Sequence, residues 1–210
     1  MNFFQKIPIF FFSLLYPIKV YGKENIPKGG AVLVSNHFRA IDCGFIARIC
    51  SKDIKYLAKK EIFKNKLITK IVKSYGGIPI DRDNPDLKSL LEAIKEIKKG
   101  HKLCIFPEGK RNTTGTNELQ EIKGGTVIFS VKAKCPIVPI MMLKKAKIFR
   151  RTKIIIGKPF EFEEYYGKKI TEEDINAMSA IIREKMIAEQ QKLSLMTAKK
   201  KDKKDAYIKE

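Results

Sequence analysis

The stretch NPDLKSLLEAIKEIKKGHKLCIF, residues 84–106, decides the fold. Asn84 is placed to cap a helix and Pro85 suits its first turn. Leu87, Leu90, Leu91, Ile94 and Ile97 then recur at the spacing of one helical face, and Gly100 stops the helix. Leu103-Cys104-Ile105-Phe106 follows as a short, wholly apolar run, the signature of a strand buried on both sides. The same alternation extends in both directions. Strands are expected at 31–35, 55–58, 78–80, 137–143 and 153–156. Helices are expected at 42–51, at 61–74 ending before Gly76-Gly77, at 126–133, and from Thr171 toward Leu193. Glu172, Glu173 and Asp174 in the first turn of that last helix suit the positive end of its dipole. Strands alternating with helices predict an α/β fold: a mostly parallel sheet with helices on its faces.

The length of 210 residues suits one domain with an appendage, and a 44% hydrophobic fraction supplies a core, which excludes disorder throughout. No apolar run approaches the ~18 residues of a spanning helix, which excludes a polytopic membrane protein. Cys43, Cys50, Cys104 and Cys135 form no C-x-x-C pair and suit reduced, buried thiols. The 43 Lys and Arg against 23 Asp and Glu leave a net charge of +20, which calls for an acidic partner. No zinc finger, RNP aromatic motif or basic heptad region is present, so no specific nucleic acid is expected.

Residues 1–22 stand apart. Phe3, Phe4, Ile7, Ile9, Phe10, Phe11, Phe12, Leu14 and Leu15 form a dense apolar segment bracketed by Pro8 and Pro17. A signal peptide is disfavoured because no small-residue cleavage pattern follows. Two readings stay open: a helix packed on the domain's own core, or a segment lying in a membrane interface with Lys6 and Lys19 toward headgroups. The second divides the chain into a membrane-interface segment at 1–22, a globular domain at 23–195 and a basic tail at 196–210. On it, lysines near an anionic surface add about 1 kcal/mol each.

Chemistry concentrates where strands end. Of the two histidines, His101 falls in a helix-to-strand turn and reads as exposed and inert. His37 follows the strand at 31–35, and ligands of open α/β sheets collect outside the carboxyl ends of strands. Asp42, five residues on, would diverge from His37 on a continuous helix. A loop entering the helix at Asp42 brings the two back together, and a carboxylate on one ring nitrogen leaves the other free to take a proton. No nucleophile elbow accompanies them, which disfavours a Ser-His-Asp hydrolase. The strand at 103–106 likewise runs into Pro107-Glu108-Gly109-Lys110-Arg111-Asn112, and Arg82 follows the strand at 78–80. Cations beside a turn with free N–H groups make an anion cradle, although each cation singly also reads as a solvated surface charge.

Taken together these blocks resemble the glycerolipid acyltransferases, specifically the 1-acyl-glycerol-3-phosphate type. Asn36-His37 with Asp42 is similar to the family's N-H-x4-D block, and Gly77-Ile78-Pro79-Ile80-Asp81-Arg82 to its second. Phe106-Pro107-Glu108-Gly109-Lys110-Arg111 resembles its third, Ile137-Val138-Pro139-Ile140 its fourth, and Lys123-Gly124-Gly125 a Lys-Gly turn often found before a helix. Arg39, Lys110 and Asn112 depart from it by standing where small hydroxyl residues are common.

The resemblance implies transfer of an acyl group from acyl-CoA or acyl-ACP to lysophosphatidic acid, giving phosphatidic acid for phospholipid biosynthesis, with the thioester as substrate and no cofactor or metal. It implies His37 and Asp42 as the catalytic pair, with Arg82, Lys110 and Arg111 on the phosphate and Gly109 in their loop. Glu108 is left between orienting the acceptor and ordering the loop's own N–H groups. It implies a peripheral or monotopic protein at the cytoplasmic face of an anionic membrane. Two alternatives remain: another acceptor, such as glycerol 3-phosphate or a different lyso-lipid, and a non-catalytic basic module binding membranes or nucleic acid by charge alone.

Overall fold

The structure, a computed structural model, describes residues 3–50, 53–81, 86–114 and 116–207. Among the described residues, seven strands form one sheet: β1 (Ile18–Tyr21), β2 (Ala31–Ser35), β3 (Ile54–Lys59), β4 (Gly77–Ile80), β5 (Lys102–Ile105), β6 (Ile137–Met142) and β7 (Thr152–Ile156). Their order is β1-β7-β6-β2-β5-β3-β4, and every neighbouring pair is parallel except β6 with β7. The predicted α/β class with a mostly parallel sheet is the one observed. The helices are α1 (Phe3–Leu15), α2 (Asp42–Cys50), α3 (Lys66–Ser74), α4 (Leu87–Lys98), α5 (Gly125–Ala133) and α6 (Glu172–Tyr207).

Period-two alternation along the buried strands divides the core. Val32, Val34, Leu103, Ile105, Ile137 and Met141 face a layer containing Ala93, Ile97, Val127, Phe129, Met178 and Ile182 of α4, α5 and α6. Ala31, Leu33, Cys104, Val138, Ile140 and Met142 face the other way, onto Phe45, Ile46 and Ile49 of α2. Phe12 of α1 packs there too, its ring 5.2 Å from that of Phe45, and it lies so close to Gly44 that any Cβ at that position would sit 2.9 Å from the ring. The helix after β2 and the helix after β5 thus leave on opposite faces. The carboxyl ends of these two adjacent parallel strands are therefore the usual place for a ligand in such sheets.

Several expectations need correction. The residues 61–74 form not one helix but a 3-10 turn at Lys60–Lys64 followed by α3, because the Asn65 side chain accepts the N–H groups of Leu67 and Ile68 and starts a new helix. The side chain that caps α4 is Asp86, accepting from the Ser89 N–H at 2.8 Å; Asn84, Pro85 and Arg82 lie outside the described residues. The segment 1–22 supplies β1, an edge strand paired with β7, so its last part belongs to the sheet. The final helix runs to Tyr207, through the stretch read as a separate tail. Among the described residues no helix is long and apolar enough to cross a membrane.

Candidate active site

The loop from β2 into α2 wraps around one buried carboxylate. Asp42, 1% exposed, accepts on Oδ2 from the backbone N–H of Phe38 and of Arg39, each at 2.6 Å. These two bonds bend residues 38–42 into a turn, and the turn brings His37 back onto the same atom. His37 Nδ1 lies 3.0 Å from Asp42 Oδ2, the contact expected of a loop entry rather than of a continuous helix. Asn36, also buried, anchors the turn from below: its amide donates to the Met142 carbonyl at 2.8 Å and accepts from the Met142 N–H at 2.9 Å, tying β2's end to β6's.

The imidazole is held from the side as well. Phe106, the first residue beyond β5, stacks on the His37 ring with centroids 3.9 Å apart and planes 18° from parallel. One ring nitrogen engaged and one face covered leave Nε2 as the atom available to a substrate. The backbone of the same residue is gripped at both ends. Its N–H donates to Glu108 Oε1 at 3.0 Å and its carbonyl accepts from the Asn112 N–H at 2.7 Å.

Glu108 is 3% exposed, and its second oxygen accepts from the Gln120 N–H at 3.2 Å. The carboxylate therefore bridges the loop after β2 to the 118–124 segment, with both oxygens engaged by backbone N–H groups. Burial pushes its pKa up, more than the two N–H bonds from Gln120 and His37 push it down. A carboxyl raised above its unfolded value stabilises the fold fully below that value and loses the contribution as pH rises toward the native one. We therefore expect the stability of the parent protein, minus that of Glu108→Gln, to fall as pH is raised from about 4 upward. Denaturant melts at several pH values measure this, and a difference that grows with pH would contradict it.

Gly109 turns the chain with φ +69°, donating its N–H to Phe106 O at 3.0 Å. The stem of Lys123 crosses directly over it, so that a Cβ at 109 would lie 2.8 Å from Lys123 Cε. Lys110 and Arg111 follow on the exposed rim, one turn from the His37 carbonyl through Asn112. Beside Phe106, an apolar cleft of about 190 Å³ opens between Leu57, Ile80 and Phe129, with Lys123 at its edge. The structure thus gathers His37, Asp42, Glu108 and Gly109 at the carboxyl ends of β2 and β5, with Lys110 and Arg111 exposed in the same loop.

Asn36, Phe106 and Gln120 were not singled out as site residues by the reading of the sequence. The apolar run places Phe106 as the last strand residue, and nothing in one dimension places its ring against His37. His101 is half-buried rather than exposed, its Nδ1 3.2 Å from Glu96 Oε2 at the opposite end of β5. Glu96 also meets Lys55 and Lys99, which hold its carboxyl down near pH 2.

Comparison with known proteins gives the family. The model of the family described as Acyltransferase matches residues 17–143, which include the whole loop from Asn36 to Asp42 and the turn at 106–111.

The chain belongs to this acyltransferase family.

Among its members, a 1-acyl-sn-glycerol-3-phosphate acyltransferase of Bacillus subtilis is 35% identical over 164 residues, covering 73% of this chain and 78% of that one. A protein of the same name from Limnanthes douglasii is 34% identical, covering 60% of this chain and 45% of its own length. Another, from Streptococcus pneumoniae, is 29% identical over 61% of this chain and 48% of its own. The chain thus spans most of the Bacillus protein and about half of the other two. The crystal structure of a 1-acyl-sn-glycerophosphate (LPA) acyltransferase from Thermotoga maritima superposes with a TM-score of 0.67 over 93% of this chain and 77% of that one. At 21% identity, that superposition carries the acyltransferase fold. The protein is an acyltransferase.

Proposed function

We propose that the protein transfers an acyl group from an acyl thioester, on coenzyme A or acyl carrier protein, to the free hydroxyl of 1-acyl-glycerol 3-phosphate, at the cytoplasmic surface of an anionic membrane. The observation that carries the proposal is the His37–Asp42 pair, 3.0 Å apart at the carboxyl end of β2, with Lys110 and Arg111 in the loop after β5. The names of the relatives supply the acceptor.

His37 Nε2 takes the proton of the glycerol hydroxyl while Nδ1–H donates to Asp42, which stabilises the imidazolium as it forms. The hydroxyl oxygen attacks the thioester carbonyl carbon directly. The tetrahedral adduct then expels the thiolate, which recovers the proton from the imidazolium, so the base is regenerated without an acyl-enzyme. Arg111 and Lys110, with Arg82, hold the acceptor's phosphate through charge-assisted hydrogen bonds. The apolar cleft beside Phe106 takes the start of the acyl chain, and the basic surface suits either anionic donor.

The direct test is to incubate purified protein with lysophosphatidic acid and an acyl thioester and to follow released thiol. Thiol release that requires the acceptor is expected; release indifferent to the acceptor, or none, would overturn the reading. Arg111→Ala is expected to raise KM for lysophosphatidic acid by about tenfold or more, because a charge-assisted bond contributes about 1.5–3 kcal/mol. KM for the thioester should move little. Equal effects on both would take Arg111 off the phosphate.

A further inference from the structure

The carboxyl ends of β2, β3, β4, β5 and β6 share one rim of the sheet, and the antiparallel pairing of β6 with β7 puts the starts of β7 and β1 there too. His37 sits on this rim. So do two groups of exposed apolar side chains, one on each flank. Beyond β6, the loop to β7 exposes Ile148 and Phe149 beside Leu15 at the end of α1, where the Phe149 N–H donates to the Leu15 carbonyl at 2.7 Å. Beyond β3, the 3-10 turn and the start of α3 expose Ile62, Leu67 and Ile68.

Neither group is explained by packing. Phe149 has φ +58°, a left-handed conformation costly for a bulky residue, and leaves 73% of its surface in solvent. None of the nine residues of α3 is buried, although Leu67, Ile68 and Ile71 gather on one face and Lys66, Lys70 and Lys73 are interleaved with them. So short a helix is marginal in water without a covering surface. Charge identifies the cover. Residues 59–73 carry six lysines against one acid, Glu61, which meets Lys59 at 3.4 Å, and residues 144–151 carry five cations and no acid. Asp86 lies within electrostatic reach of Lys60 and Asp81 of Glu61, and lysines still outnumber the acids on this flank. Apolar side chains ringed by an excess of lysines fit an anionic bilayer, with Leu, Ile and Phe at the acyl boundary and ammonium groups among the phosphates.

We propose that this rim docks on an anionic bilayer at two places, α3 with its preceding turn on one flank and residues 148–149 with the end of α1 on the other. His37 then lies at the lipid surface between them, and a lyso-lipid acceptor reaches the base without crossing water. That last consequence rests on the lipid acceptor proposed above; the docking itself does not.

The chain contains no tryptophan, so Leu67→Trp and Phe149→Trp each introduce a single indole reporter. In the full-length protein, both are expected to shift to the blue and to be quenched by phosphatidylcholine brominated in its acyl chains, once the vesicles also contain phosphatidylglycerol. Lys28→Trp, before β2 at the opposite rim, should stay unquenched. Leu67→Gln with Ile68→Gln should weaken vesicle binding about tenfold or more, while acyl transfer to detergent-dispersed lysophosphatidic acid stays within about twofold because neither residue lies at the catalytic pair. Quenching at Phe149→Trp but not at Leu67→Trp would overturn the two-point docking, as would equal binding to vesicles of phosphatidylcholine alone. A blue shift of Leu67→Trp that depends on protein concentration, without vesicles, would assign the surface to a second copy instead. Absence of acyl transfer in the parent protein would sink the proposed function and leave the quenching result intact.

Discussion

Replacing His37 with alanine is expected to slow acyl transfer by about 10²–10⁴-fold, the usual contribution of a positioned general base. The fold should survive, because the bonds that shape the loop do not pass through the imidazole. Asp42 keeps its two backbone donors, Phe38 and Arg39, and the His37 backbone stays clamped between Glu108 and Asn112 whatever side chain it carries. The truncation also opens a slot between the Phe106 ring and the Asp42 carboxylate, shaped by the parent stack at 3.9 Å. Added imidazole should enter that slot and restore part of the rate in proportion to its neutral form. Thiol-release kinetics with thermal melts measures all three effects. A variant within threefold of the parent would remove proton transfer by His37 from the mechanism. A large loss with no rescue, accompanied by a lower melting temperature, would point to a structural role instead.

Much of this site was legible in one dimension, for a physical reason. Strands buried on both faces read as unbroken apolar runs, so 31–35, 103–106 and 137–143 announced themselves, and the apolar stripe of α4 left little choice about its helix. Once β2 and β5 are neighbours, residues just past their carboxyl ends must meet. What stayed illegible depends on partners far away in the chain. β1 looks like the tail of an apolar segment until Thr152–Ile155 pairs with it. Among the described residues Glu108 bonds only to backbone N–H groups, which carry no side-chain signature, so its sequence position could not say whether it faces substrate or the protein's own loops. Apolar periodicity spanned 61–74 and hid Asn65, whose side chain restarts the helix. Most of the exposed apolar residues at the rim were hidden for the opposite reason: a sequence reports that Leu67 and Phe149 are apolar, not that the fold leaves them uncovered.

Asp42 offers the sharpest separation of structure from chemistry, because one oxygen atom serves both. Its Oδ2 orders the loop through the Phe38 and Arg39 N–H groups and orients His37 through Nδ1. In Asp42→Asn an amide oxygen of the same size can accept all three bonds, so the turn and the imidazole tautomer should persist. The negative charge is gone, and with it the stabilisation of the imidazolium formed during transfer. We expect a melting temperature close to the parent's and a kcat lower by about 10²-fold or more, since a buried charge that offsets a developing one contributes several kcal/mol. Asp42→Ala removes the acceptor altogether. The Phe38 and Arg39 N–H groups lose their partner, at about 1–3 kcal/mol for each that cannot reach water. Phe38 is itself buried, so that variant should lose about 2–5 kcal/mol of stability as well as its activity. Denaturant melts and thiol-release rates on the pair of variants decide the matter. If Asp42→Asn transfers acyl groups at nearly the parental rate, the carboxylate is a loop clasp and no more. If it is slow but as stable as the parent, the charge itself acts in the reaction, and the three bonds to one oxygen are how the fold keeps that charge buried beside the base.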